Sequence, residues 1–224
     1  MTNDEVPAAP GRVGKHGAEL CDTPTSDHLR LLFRLCQAEG ELGIVTGEPG
    51  IGMTSAARRY AAAVEAYPSN SGSSACTEAI RFRLAHEPNV PLLLIDEAHH
   101  LSDASVEEVR AIFDATPALR VVFISSRELR ERWSERRWAQ LTSRVFQRID
   151  LDGPMPADID AICAVAGVDG KRSCDLMRRA AAKPGWLRVV CKLLGVAEKL
   201  AGPGQPIEAE HVELAFRDRT ETEA

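Results

Sequence analysis

Long apolar runs are missing from this sequence: no stretch approaches the roughly 18 residues needed to cross a bilayer, and no basic start leads into an apolar core. A soluble, cytoplasmic protein with no membrane partner is the expectation. Close cysteine pairs are missing too. Cys21, Cys36, Cys76, Cys163, Cys174 and Cys191 form no C-x-x-C unit, which argues against a zinc ribbon and for free, largely buried thiols in a reducing compartment. Internal repeats and coiled-coil heptads are not evident. Cations are also in deficit, 27 Lys and Arg against 33 Asp and Glu, which excludes a uniformly basic coat for nucleic acid. The positive charge that exists is clustered. Arg127 to Arg148 holds seven Arg against three Glu, and Lys171 to Lys192 holds seven Lys or Arg against the single Asp175.

Residues 1–24 are rich in Pro, Gly, Thr and charge without a sustained period, and read as a flexible arm. Leu29, Leu32, Phe33 and Cys36 then recur on one helical face. From there to residue 153 short apolar runs alternate with helical patterns: LGIVTG from Leu42, PLLLIDEA from Pro91, LRVVFISS from Leu119 and RVFQRIDL from Arg144. Such runs, separated by helices, imply a largely parallel sheet covered on both faces. Over 154–218 the strand runs stop, and four helical segments broken by Gly and Pro predict a small all-helical unit, followed by an acidic tail at 219–224.

Chemistry concentrates in two places. GEPGIGMTSA, beginning at Gly47, has the spacing of a phosphate loop, G-x-x-x-x-G-K-[ST], between a strand and a helix. Gly47, Glu48, Pro49, Gly50, Ile51 and Gly52 would present backbone N–H groups to phosphate, with Met53, Thr54 and Ser55 opening the helix. Thr54 supplies a hydroxyl where Mg²⁺ is held. LLLIDE places Asp96 and Glu97 at the end of a buried strand, where an open sheet binds ligands; Asp96 can hold Mg²⁺ and Glu97 can polarise water. His99 and His100 lack further metal-ligand spacing, and read as loop or helix-start residues rather than zinc ligands.

GEPGIGMTSAARRYA (Walker A), PLLLIDEAHHLS (Walker B), VVFISS and WAQLTSRVFQRIDL, followed by a helical segment with GWLRVV, resemble the AAA+ ATPases of the MuB/TniB/TnsC type; ExeA-like secretion ATPases share much of the pattern. The likeness spans about residues 22–200. It implies a P-loop NTPase three-layer α/β core with a parallel sheet and a small all-helical lid, ATP and Mg²⁺ as cofactors, and a homo-oligomer that binds duplex DNA and engages a transposase. It further implies Thr54 and Asp96 at the metal, Glu97 as water activator and Ser126 as the polar sensor. Arg144 corresponds to the arginine presented to a neighbouring subunit's nucleotide, and Arg188 to the lid arginine that senses the γ-phosphate.

Two departures stand out. Met53 occupies the lysine position of the loop, and a thioether carries neither charge nor donor. Hydrolysis is therefore expected to be impaired. Second, AYPSNSGSSACTEAIRFRLAHEPN from Ala66 lacks a strand-like run, which predicts a sheet short of one edge strand with LLLIDE close to the edge. The residues leave open an ATP-binding transposition helper, a nucleotide-independent scaffold or regulator of the same fold, and a secretion-associated ATPase. In ELRERWSERRWAQ, Trp133 and Trp138 either join Arg130, Arg132, Arg136 and Arg137 on a nucleic-acid surface or pack inward; the cations of the lid segment are a second candidate DNA surface.

Overall fold

The computed structural model describes residues 21–39, 42–60, 92–117 and 119–222, with side chains through residue 217. Two units emerge. One is Ser26–Pro49 with Met53–Asp152; the other is Gly50–Gly52 with Gly153–Ala224 and, among the described N-terminal residues, 21–25.

In the first unit the four apolar runs are four strands: β1 (Leu42–Gly47), β2 (Leu92–Ile95), β3 (Arg120–Ser125) and β4 (Val145–Leu151), in the order β2-β3-β1-β4. Every pairing is parallel; Thr46 lies opposite Ser125 on one side and Asp150 on the other, and Ile95 lies opposite Phe123. All four C-terminal ends therefore fall on one edge of the sheet. Alternation along the strands sends side chains to two cores. Leu42, Ile44, Val121 and Phe123 pack with Val106, Val109 and Ile112 of α3 (Asp103–Ala115). Val45, Val122 and Ile124 pack with Leu29, Leu32, Phe33 and Cys36 of α1 (Pro24–Glu39) and with Ala56 and Ala57 of α2 (Met53–Tyr60). Burial on both faces is why the runs of β1 and β3 are continuous rather than alternating in hydrophobicity; β4 is mostly exposed apart from Ile149 and its half-buried ends, and its run is mixed. The Ser102 hydroxyl starts α3 by accepting the Ser105 amide at 3.1 Å.

Among the described residues β2 is an edge strand. The interval expected to lack a strand, including residues 68–76, lies outside the described residues.

The second unit carries four helices, α6 (Pro156–Val165), α7 (Lys171–Ala181), α8 (Trp186–Ala201) and α9 (Ala209–Thr222), numbered after the short α4 (Glu128–Trp133) and α5 (Ala139–Thr142) of the first. Their core includes Ile159, Ile162, Met177, Val190, Leu193, Leu194 and Val212. Asp158 is fully buried and accepts three hydrogen bonds: from the Thr25 amide at 2.8 Å, the Thr25 hydroxyl at 2.6 Å and the Met155 amide at 2.7 Å. No described helix is long and apolar enough to cross a membrane.

No disulfide joins the described cysteines. Burial, then the adjacent Cys174, pushes the Cys163 thiol up to about 12; burial, then Cys21, pushes Cys191 up to about 11. Both thiols hold their proton more tightly when folded than at the ordinary value of 9.0. The stability this contributes is complete below pH 9 and drains as pH rises towards 11 and 12. Melting temperature in reducing buffer is expected to fall from pH 9 to 11, and the double variant Cys163→Ala, Cys191→Ala to flatten that slope.

Candidate functional site

β1 ends at Gly47 and α2 begins at Met53, so the intervening loop has the strand–turn–helix setting that a phosphate cradle requires. Gly50 and Gly52 have φ of +101° and +106°, a region where a side chain is strained. A Cβ on Gly50 would also overlap the Gly185 carbonyl oxygen. The amide of Arg188 donates to the Gly50 carbonyl at 3.3 Å, bringing that lid residue to the loop while its side chain stays exposed. Ile51 is buried and anchors the turn. Glu48 pairs with Arg127, whose Nε is 3.4 Å from Glu48 Oε1 and whose Nη2 pairs with Asp152.

Met53 joins the apolar cluster beneath α1 and β1, and its sulfur rests 3.2 Å from where a Gly47 side chain would begin. The lysine position thus contributes packing and no positive charge. Thr54 and Ser55, partly exposed in the first turn of α2, keep their hydroxyls at the helix start.

Asp96 and Glu97 form the turn after β2. Asp96 Oδ1 accepts the Glu97 amide at 2.9 Å, and Glu97 holds a left-handed backbone with φ of 54°. Non-glycine residues in that region are uncommon and concentrate at functional sites. β3 lies between β1 and β2, so Ser125 and Ser126 sit between the loop strand and the two acids. The Ser126 hydroxyl is buried and has no hydrogen-bond partner among the described residues, an arrangement that calls for a polar partner. Thr54, Asp96, Glu97 and Ser126 are thus gathered at the C-terminal edge of three neighbouring strands.

Arg144 is not among them. It precedes β4, at the opposite edge of the sheet, and its guanidinium grips Asp114 at 2.7 and 3.1 Å. Arg110 holds the same carboxylate at 2.7 Å.

Trp133 and Trp138 are buried, at 3% and 2% exposure, and Trp133 meets Phe123 edge to face with ring centroids 4.8 Å apart. They serve the core and do not form a nucleic-acid platform. Arg132 and Arg137 both hold Asp103, with Arg137 lying 5.3 Å from the Trp138 ring centroid; these cations hold Asp103 below the usual carboxylate range, the Arg132 hydrogen bond first. In the lid, Lys171, Arg172 and Arg179 line an open depression of about 430 Å³ beside Asp175 and Glu213. Lys183 lines a second of about 360 Å³, its Nζ 5.3 Å from the Phe216 ring.

Sequence reasoning missed the convergence on His99. The ring's Nε2 is 3.5 Å from Glu97 Oε2, and its Nδ1 is 3.3 Å from Ser125 Oγ. A short 3₁₀ turn over Ala98–His100, closed by the His100 amide donating to the Glu97 carbonyl at 3.0 Å, folds the side chains together. The adjacent pair of histidines after the acids was the available clue.

The model of the Mu B transposition protein C-terminal domain matches residues 143–218, and that of an AAA domain matches residues 63–133. ATP-dependent target DNA activator B of Escherichia phage Mu is 26% identical over 225 residues, covering 88% of this chain and 72% of that protein; its phage D108 counterpart matches equally. The chain is thus similar to MuB-like AAA+ proteins over most of its length. Solved structures share the architecture. The Thermotoga maritima RuvB Holliday junction branch migration motor superposes with a TM-score of 0.61 at 17% identity, covering 88% of this chain and 69% of that one. The Aeropyrum pernix ORC2 protein gives 0.57 at 13% identity, covering 87% and 66%. At such identities the likeness concerns the fold alone.

Proposed function

We propose that this MuB-like protein is an ATP- and Mg²⁺-binding transposition helper that assembles with itself on duplex DNA and engages a transposase, with hydrolysis slowed by Met53. The observation that carries the reading is the gathering of Thr54, Asp96, Glu97 and the partnerless Ser126 hydroxyl at one sheet edge beside a glycine loop. The description of the phage Mu and D108 relatives as ATP-dependent target DNA activators supports it.

The donor set suits a magnesium nucleotide except at one position. The loop amides would cradle phosphate; Thr54 and Asp96 offer the oxygen ligands that Mg²⁺ prefers. Bound Mg²⁺ would offset phosphate charge. Glu97 would orient and polarise the attacking water, Ser126 would donate to phosphate oxygen, and Arg188 would approach from the lid. Arg144 is at the far edge of its own sheet, so its role is played on a neighbouring copy after its release from Asp114. Met53 withholds the one fixed cation of the loop. Met53 also favours the competing reading, a nucleotide-independent scaffold of the same fold.

Sedimentation on duplex DNA with and without MgATP separates these readings. Assembly that requires MgATP is expected; assembly indifferent to it supports the scaffold. We assign the DNA-binding surface to the lid cations Lys171, Arg172, Arg179 and Lys183, because the tryptophans of the other basic segment are buried. Affinity should fall steeply with salt. Reversing charge at Lys171 and Arg179 is expected to weaken binding across all sequences and reduce the salt slope by about one for each phosphate no longer neutralised; an unchanged slope removes this surface.

A further inference from the structure

Glu97, His99 and His100 carry a second kind of site. Each offers one ligand atom, and the three atoms lie within 4.8 Å of one another. His99 Nε2 and Glu97 Oε2 are 3.5 Å apart. Two donors on a tetrahedral ion with bonds of about 2.0–2.2 Å must stand roughly 3.4 Å apart, so this pair already has the required spacing. The other nitrogen of His99 faces Ser125 Oγ at 3.3 Å, and Ser125 is itself buried at 2% exposure. A histidine that ligates through one nitrogen is oriented by a hydrogen bond at the other; with a metal on Nε2, Nδ1 carries the proton and donates to the Ser125 hydroxyl. The His99 side chain is 16% exposed and is held in place, while Glu97 at 62% stays reachable from solvent. The left-handed Glu97 backbone and the His100–Glu97 hydrogen bond turn the three donors towards each other.

We infer that Glu97, His99 and His100 bind a borderline divalent transition-metal ion of the Zn²⁺ class. Two imidazoles and one carboxylate leave a fourth position for water, the ligand count of an open zinc site. They also discriminate against Mg²⁺, a hard ion that takes near-octahedral oxygen. An ion held here occupies the Glu97 carboxylate and withdraws it from water activation. Metal binding stands on this geometry alone; the inhibitory consequence rests on the nucleotide reading above.

Zn²⁺, and Co²⁺ as a spectroscopic probe, are titrated calorimetrically into the full chain in excess Mg²⁺ and a reducing agent that does not bind metal. One equivalent is expected to bind, and His99→Ala or His100→Ala to weaken binding at least tenfold. His99→Gln and Glu97→Gln repeat the test with side-chain volume kept, with circular dichroism melting as the folding control. Absence of binding, or affinity unchanged when both histidines are replaced, overturns the site; the latter result assigns the metal to the thiols. Competition by Mg²⁺ at equal concentration overturns it as well. Turnover of Met53→Lys is then measured with and without Zn²⁺. Inhibition that the histidine variants relieve is expected, whereas metal binding in a chain that hydrolyses nothing leaves the site standing and removes the inhibitory consequence.

Discussion

Met53→Lys is expected to raise MgATP turnover by roughly 10²- to 10³-fold, the rate effect of one preorganised donor, or about 3 kcal/mol. Phosphoryl transfer asks little covalent chemistry of the protein; positioning and charge carry most of the catalysis. On the proposed reading the other parts drawn from this sheet edge have counterparts: the positive-φ glycines of the loop, the Thr54 hydroxyl, the paired acids after β2 and the Ser126 hydroxyl. Met53 alone is chemically mute, its sulfur packed against the end of β1. A lysine there exchanges a partly buried thioether for a stem of similar length whose ammonium can extend to the loop, so packing changes little while charge changes by one. Steady-state phosphate release under saturating MgATP measures the effect. A variant no faster than the parent would show that something other than Met53 limits turnover.

Asp158→Ala is expected to destabilise the chain by about 3 kcal/mol, the usual cost of removing one partner from a buried charged network. The carboxylate is fully buried and is the acceptor for the Thr25 amide, the Thr25 hydroxyl and the Met155 amide. Alanine leaves two amides and a hydroxyl without this acceptor, and each group left buried and unsatisfied costs about 1–3 kcal/mol. In a chain of this size the shift in melting temperature is roughly 6–12 °C. Asp158→Asn retains one acceptor oxygen and is expected to fall between. Equal melting of Asp158→Ala and the parent would mean that these hydrogen bonds contribute nothing net.

β1 and β3 were legible because doubly buried parallel strands leave a plain imprint, a continuous apolar run that the fold keeps with little change; β2 kept its short run, and β4 was read from a mixed run of which Ile149 is the buried residue. The loop and the two acids were legible for a related reason, since each follows its strand directly and needs no long-range information. What the linear order hid is what distant segments decide. Trp133 and Trp138 are interleaved with arginines in sequence, yet the turn between their short helices directs both rings into the core, Trp133 against Phe123 and Trp138 beside Trp133. Arg144 finds Asp114 thirty residues away. His99 and His100 read as loop or helix-start residues without metal-ligand spacing, whereas a 3₁₀ turn brings His99 beside Glu97, two residues away, and Ser125 meets it from another strand. Asp158 was visible only as an acid in the first turn of a helix, because its partner Thr25 lies 133 residues away.

Calorimetric titration of MgATP into the parent chain, beside Asp96→Asn and Thr54→Ala, tests the nucleotide site most directly. Saturable binding at one nucleotide per chain is expected, dependent on Mg²⁺ and weakened at least about tenfold in both variants, since Asp96→Asn removes the negative charge and Thr54→Ala the hydroxyl that would hold the metal. No binding by the parent or by Met53→Lys, with self-assembly on DNA unchanged by nucleotide, would contradict it and leave a MuB-like fold that works as a scaffold.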